Sequence, residues 1–334
     1  MNLKKERKKI DVVIPLLNEE GIVDELVSRL KKATENLAYN FEFILVDDGS
    51  NDNTLTKLIS QQSADKRIKL ICLSRNWGQQ CAYNAGLDEV SGDAAILMDG
   101  DLEDPPELIA QMIQKWEEGY EVVYTVKKSR KRNFLYTLMF KIFYVLLTFT
   151  SGIKIDQNSG MFSLLGKKAL GQLKKCKEKN KYYVGLRYLV GFKQTKILYH
   201  RSKRFHGKPK QSFKRLFNYA LNAFFSFSFF PIRILTFFGF LLLVNLTLFS
   251  IILVFANLTN TELWILGPLR DVPGWTSIII AILFVLAMQT IFIGVLGEYI
   301  ARIYDEVRNR PYYVVENVYE SVYQSKDREP ASKI

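Results

Sequence analysis

The chain has 334 residues, a formal net charge of +12, three cysteines and two histidines. Cys72, Cys81 and Cys176 form no ligand spacing and are odd in number, which points to a reduced compartment without a disulfide framework, and His200 and His206 are too few for a histidine-rich metal centre. A positive charge of this size suits nucleic acid or an anionic membrane surface, and two uncharged apolar blocks near the C-terminus decide for the membrane and against nucleic acid.

Basic residues from Lys4 to Lys9 are not followed by an apolar region, so the N-terminus does not read as a signal peptide. Residues 11–15 form a short β-branched strand ended by Pro15. From Glu19 to about Lys32, apolar residues at 22, 23, 26, 27 and 30 predict an amphipathic helix, with Asn18 as its cap. A second strand over 41–46 runs into Asp47-Asp48-Gly49-Ser50, a turn that opens a helix over 55–62. Residues 68–73 read as a strand, 81–90 as a helix and 94–98 as a strand. Strands alternating with helices predict a parallel, doubly wound α/β sheet whose ligands sit at the strand C-terminal ends.

The strand over 94–98 delivers Asp99-Gly100-Asp101-Leu102-Glu103-Asp104, followed by Pro105-Pro106, where a helix can begin. Carboxylates packed this densely at a buried strand end need a counter-charge. Hard Mg²⁺ or Mn²⁺ supplies one, taking one or two carboxylates and completing its shell with water and substrate phosphates. An acid pair in a solvated turn is the plainer alternative. Polar clusters recurring at 15–19, 47–50 and 99–103, each at a strand end, favour a site.

After a strand over 122–126 comes Lys127-Lys128-Ser129-Arg130-Lys131-Arg132, then an aromatic and apolar helix over 133–150. That helix suits a membrane surface, and equally suits packing on the sheet. Residues 156–162 form a polar turn leading into an apolar segment, and lysine-rich 174–181 reads as a solvated loop. A helix over 182–190 and a strand over 194–199 precede the basic stretch 201–210, which either closes over a diphosphate or is simply solvated. Residues 212–234 form a basic, then phenylalanine-rich, interfacial helix region. Residues 235–256 and 276–296 carry no charge and are long enough to cross a hydrocarbon core of about 30 Å. Lysines and arginines flank the pair at 203–233 and 302–310, whereas the loop between holds Glu262, Arg270 and Asp271. The positive-inside rule then makes both large ends cytoplasmic. The expected domains are a catalytic domain over 1–211, the interfacial region, two membrane helices within 235–299 and a cytoplasmic tail over 300–334.

The ordered set of motifs resembles family-2 glycosyltransferases of the polyprenyl-phosphate (dolichol-phosphate) hexose synthase type. It comprises Ile14-Pro15 with Asn18-Glu19-Glu20, Val46-Asp47-Asp48-Gly49-Ser50, Leu73-Ser74-Arg75-Asn76 with Gly78, and Met98 through Leu108. Ser159-Gly160 with Phe162, Arg204-Phe205 with Gly207-Lys208, and Gly297-Glu298-Tyr299-Ile300 with Arg302 complete it. The absence of a Gln-x-x-Arg-Trp motif argues against processive polysaccharide synthases.

The resemblance implies a GT-A nucleotide-sugar fold, a donor such as UDP-glucose, UDP-N-acetylglucosamine or GDP-mannose, and inverting transfer of one hexose to polyprenyl phosphate. It implies that Pro15, Asn18, Glu19, Asp47, Asp48, Arg75 and Gly100 serve the donor, and that Asp99, Asp101 and Glu103 face the metal. Glu103 stands where relatives often have Gln, and either tightens metal binding or points to solvent. Arg204 and Lys208 are the implied lid on the diphosphate, and Arg130 is the implied ligand of the acceptor phosphate, a guanidinium fork suiting phosphate better than Lys128. Asp156 is the implied base or acceptor-orienting group. A homo-oligomer such as a tetramer is also an expectation from relatives; diacylglycerol is an alternative acceptor, and a catalytically silent membrane scaffold is the alternative outside the enzyme class, against which intact Asp99, Asp101, Arg75 and Arg204 weigh.

Overall fold

The computed structural model describes residues 7–128, 156, 159–176, 178, 181, 183–200, 237–241, 244–245, 247–248, 251, 255, 275–308 and 310–321. The chain divides into two compact units, one of Met1–Ala223 with Arg310–Ile334 and one of Phe224–Asn309.

The first unit is built on one eight-stranded sheet. Its elements in order are β1 (Lys9–Leu16), α1 (Val23–Thr34), β2 (Asn40–Asp47), α2 (Thr54–Ala64), β3 (Ile68–Leu73), α3 (Gln79–Asp88) and β4 (Ala94–Leu97). A 3₁₀ turn (Pro106–Leu108), α4 (Ile109–Glu117), β5 (Val122–Lys127), β6 (Ser159–Gly166), α5 (Lys167–Lys175), α6 (Tyr183–Leu189), β7 (Gln194–Tyr199) and β8 (Val315–Tyr319) follow. The spatial order is β7-β5-β6-β4-β1-β2-β3-β8. β1 through β4 are buried almost throughout, as a parallel sheet covered on both faces requires. Their Val, Ile, Leu and Phe side chains pack with Leu26 and Leu30 of α1 and Ile109, Met112 and Ile113 of α4 to form the core.

The sheet is mainly parallel, as expected, with two strands that run against the rest. β6 lies antiparallel between β4 and β5, and β8 lies antiparallel on the outer side of β3. β8 comes from the C-terminal segment and closes an edge that the motif-bearing half would leave open. Its seating is specific: Val314 carbonyl accepts the Ser74 N–H at 3.0 Å, and the Tyr313 hydroxyl donates to Asp88 at 2.7 Å. Lysine-rich 174–181 is not simply solvated. Lys174 Nζ donates to the Val90 carbonyl at 2.9 Å, and Lys181 Nζ donates to Asn84 at 2.9 Å.

In the second unit, α7 (Trp275–Val307) runs for 33 residues, about 50 Å at about 1.5 Å per residue. It contains the expected span over 276–296 and continues through Gly297–Arg302, because nothing there breaks a helix. Among the described residues, Phe284–Val307 is the one segment long and apolar enough to cross a membrane. Half of 235–256 lies outside the described residues, as do 129–155 and 201–236.

Candidate active site

The carboxyl ends of β1, β2 and β4 converge, since β1 pairs with both neighbours in parallel register. Each ends in a loop carrying polar groups, and backbone N–H groups tie those loops together. Asn18, expected to cap α1, does not: α1 starts at Val23 without a side-chain cap. Asn18 instead adopts φ 50°, accepts the Asn51 N–H on Oδ1 at 2.8 Å and donates its own N–H to Ser50 Oγ at 2.9 Å. Glu19 N–H donates to Thr54 Oγ1 at 2.8 Å. The first two motifs are thus one knitted unit, with Pro15 buried in β1 beneath it.

Asp47 and Asp48 are adjacent and both buried, yet differ in what they do. Asp48 accepts the N–H groups of Trp77 (2.8 Å) and Gly78 (3.0 Å), clamping the β3–α3 loop. Asp47 Oδ2 accepts the Ser50 N–H at 3.1 Å, while its buried Oδ1 has no hydrogen-bond partner among the described residues. Burial pushes both carboxyls above the ordinary range, against the pull of those N–H groups. Gly49 permits the clamp: it has φ 70°, and a Cβ there would lie 2.4 Å from the Arg75 carbonyl carbon. Arg75 is exposed and stacks on Trp77, 3.9 Å from the ring centroid.

The β4 loop brings together the acids that the sequence singles out. Asp99 Oδ1 accepts the Tyr83 hydroxyl at 2.7 Å and Gln79 Nε2 at 2.8 Å, both from α3. Gly100 lets the loop press on β1, since a Cβ would meet Leu16 Cδ2 at 2.5 Å. Asp101 Oδ1 accepts the Glu103 N–H at 3.1 Å in a tight turn, with Leu102 at φ 56°. Glu103 is half-buried. Asp104 is 1% exposed, and its Oδ2 has no hydrogen-bond partner among the described residues. Lys127, from the end of β5, places Nζ 3.5 Å from Asp104 Oδ1. Burial and the neighbouring charges of Asp104 and Asp101 push Asp99 up to about 6, although Tyr83 and Lys127 oppose them.

Among the described residues, no three His, Cys, Asp or Glu side chains form a ready-made metal cage. The donor set nevertheless fits a hard divalent cation. It is all oxygen, it is short of positive charge, and Mg²⁺ is typically held by one or two carboxylates with substrate phosphates filling its shell.

Asp156 belongs to a second network. Its Oδ2 accepts the Tyr124 hydroxyl at 2.6 Å, Lys196 Nζ lies 3.1 Å away, and its N–H donates to the Tyr188 hydroxyl at 3.2 Å. Arg187 lies over Tyr124 and donates to the Gly160 carbonyl at 3.1 Å and to Ser159 Oγ. Arg130, Arg204 and Lys208 lie outside the described residues. Sequence reasoning missed Gln79, Tyr83, Tyr124, Lys127, Arg187, Tyr188, Lys196 and Tyr199. Only Lys127 carried a signal, and there it was one cation in a basic run.

The family model described as glycosyl transferase family 2 matches residues 11–174. An uncharacterized glycosyltransferase from Synechocystis is 38% identical over 93% of this chain and 95% of its own length. One from Bacillus subtilis is 37% identical over 92% of this chain and 93% of its own. An undecaprenyl-phosphate 4-deoxy-4-formamido-L-arabinose transferase from Salmonella choleraesuis is 34% identical over 93% and 94%. With the strand order and strand-end acids described above, these likenesses identify a glycosyltransferase of GT-A fold, and the chain belongs to glycosyltransferase family 2.

Proposed function

We propose that the enzyme transfers one hexose from a nucleotide sugar to polyprenyl (undecaprenyl) phosphate at the cytoplasmic face of the cell membrane, with inversion at the anomeric carbon. The observation that carries this reading is the crowding of Asp47, Asp99, Asp101 and Asp104 at one end of the sheet, with two buried carboxylate oxygens left without hydrogen bonds among the described residues. Such a site is short of cations and suits a metal-bound diphosphate. The membrane acceptor is supported by α7, by the basic runs at 127–132 and 201–210, and by the relative named for undecaprenyl phosphate.

Asp101, with Asp99, would hold Mg²⁺ or Mn²⁺ on the diphosphate. When bound, that ion neutralises charge on the departing nucleotide. Asp47 Oδ1 is the better placed of the two β2 acids to accept from the nucleoside, because Asp48 is spent on the Trp77 loop. Glu19, Asn18 and Pro15 would shape that pocket, and Arg75 on Trp77 would flank it. Arg204 and Lys208 would cover the diphosphate, and Arg130 would receive the acceptor phosphate.

A phosphate monoester has a second pKa near 6 and is largely deprotonated at neutral pH, so its oxygen needs little help from a base. Asp156 already accepts from Tyr124 and pairs with Lys196, an arrangement that suits an orienting anion better than a proton acceptor. If Asp156→Asn loses activity and raised pH restores it, the orienting role is wrong.

The test of the whole reading uses the purified protein in lipid with Mg²⁺ or Mn²⁺. UDP-glucose, UDP-N-acetylglucosamine and GDP-mannose are each supplied with undecaprenyl phosphate or diacylglycerol, and products are read by mass. A glycosyl phosphate lipid is the expected product. A glycosyl diacylglycerol, or no product with any donor, overturns the reading.

A further inference from the structure

Two acids of the β4 loop are each gripped on one oxygen. Asp104 Oδ1 accepts the Tyr199 hydroxyl and lies 3.5 Å from Lys127 Nζ, groups supplied by the paired strands β7 and β5. Asp99 Oδ1 accepts the Tyr83 hydroxyl at 2.7 Å and Gln79 Nε2 at 2.8 Å, both supplied by α3. A carboxylate oxygen has about two lone-pair sites. Two donors therefore fill Asp99 Oδ1, and Oδ2 is the oxygen left to serve a ligand.

Asp99 is held this way because α3 is itself fixed. Asp48 accepts the N–H groups of Trp77 and Gly78, the two residues before the helix. Tyr83 is fully buried and meets the Tyr183 ring edge to face, with centroids 6.3 Å apart. Tyr183 in turn donates to Asn84 Oδ1 at 2.7 Å, one residue along α3. A phenylalanine at 83 would fill the same space and need no acceptor. What the hydroxyl adds is a constraint on Asp99, which can offer a cation one oxygen and not a chelating pair. That constraint discriminates between ions. Mg²⁺ keeps an octahedral shell of oxygens at about 2.0–2.1 Å, and Mn²⁺ shares its geometry. Ca²⁺ takes roughly six to eight oxygens at about 2.3–2.6 Å, often two of them from one carboxylate.

We propose that Tyr83 and Gln79 are positioning residues that determine which cation the site accepts, confining Asp99 to ligation through Oδ2 and so favouring Mg²⁺ or Mn²⁺ over Ca²⁺. This rests on the reading of the site as a seat for a metal-bound diphosphate.

The experiment uses the full chain in lipid nanodiscs and needs no turnover. UDP and GDP are titrated calorimetrically with Mn²⁺, with Ca²⁺ and with chelator. In the wild type, Mn²⁺ should raise the affinity of one nucleotide at least about tenfold more than Ca²⁺ does. The double variant Tyr83→Phe with Gln79→Ala frees Oδ1, and Ca²⁺ should then gain until that gap is about threefold or less. Gln79 is exposed at the first position of α3. Gln79→Ala alone should narrow the gap about threefold, and it carries the test if the double variant does not fold. Tyr183→Phe removes a hydroxyl from the same cluster without touching Asp99 and should keep the wild-type gap. Three results overturn the proposal: Ca²⁺ as effective as Mn²⁺ in the wild type, an unchanged gap in the variant that carries the test, or an equal narrowing in Tyr183→Phe. A wild type whose nucleotide affinity responds to neither ion overturns the metal-bound diphosphate reading instead, and that result is seen before any variant is made.

Discussion

The two ends of the central sheet are both rich in buried acid, but they handle it differently. At the amino end, Lys9 Nζ lies 2.7 Å from Glu42 and 3.4 Å from Asp11, and Glu42 also accepts the Ser321 hydroxyl. Asp11 Oδ2 takes the N–H groups of Ser91 and Gly92 at 2.8 and 2.7 Å, and its Oδ1, without a hydrogen bond among the described residues, faces Lys9. Lys69, fully buried, places Nζ between Glu89 at 2.5 Å and Glu320 at 3.1 Å. At the carboxyl end, Asp47 Oδ1 and Asp104 Oδ2 are buried without a hydrogen bond among the described residues, and Asp99 sits among like charges. Acid matched by lysine holds a fold together. Acid left short of cation at the mouth of a parallel sheet stores unfavourable electrostatics that a ligand can relieve.

The sharpest way to break this comparison is Asp101→Ala. Metal-dependent turnover should fall by about three orders of magnitude or more, with little change in melting midpoint. Initial rates and a thermal scan on the same sample check both halves. Next in size is a change at the amino end. The double variant Glu89→Gln with Glu320→Gln removes two carboxylate counter-charges from the buried Lys69 ammonium and should cost about 3 kcal/mol. That loss is read as a lowered denaturation midpoint, with nucleotide affinity retained. Asp99→Asn should do the reverse. Without metal it removes repulsion from Asp101 and Asp104 and raises the melting midpoint by a few degrees, roughly 1 kcal/mol, while turnover falls. If Asp99→Asn melts lower than wild type, the carboxyl end is not strained by charge.

The smallest effect concerns Asp65 at the amino end of β3. Burial opposes ionisation there, but hydrogen bonds from Arg67, helped by Lys31, outweigh it and lower the carboxyl to about 2. A lowered native pKa stabilises the fold above the unfolded value of 3.8, and that contribution disappears as pH falls through about 2. Asp65→Asn should therefore cost about 1 kcal/mol at neutral pH and nothing once the pH is well below about 2. Acid titrations of melting for both proteins would show the two curves meeting.

The acid-bearing carboxyl end was legible in the sequence because its signals are local. A β-branched run that stops at an acid or proline is visible residue by residue, and β3 and β7 fall where patterning puts them, at Ile68–Leu73 and Gln194–Tyr199. Long-range pairing was not legible. β6 begins with Ser159-Gly160 and finds its place only against β4 and β5, and β8 is five residues of a charged tail that matter only as the partner of β3. The same reason hid Tyr199 and Lys127. One looked like the end of a strand and the other like part of a basic run, and only the sheet brings them to Asp104. Asn18 misled because a cap and a loop staple use the same side-chain oxygen, and the choice between them lies in Asn51, 33 residues away.

Calorimetric titration of UDP and GDP into the protein, with Mn²⁺ and then with chelator, tests the central claim most directly. If the carboxyl end of the sheet is a seat for a metal-bound diphosphate, one of the two nucleotides binds at least about tenfold tighter with Mn²⁺, and Asp101→Ala erases the difference. Equal affinity with metal and with chelator, or a metal effect that survives Asp101→Ala, contradicts it.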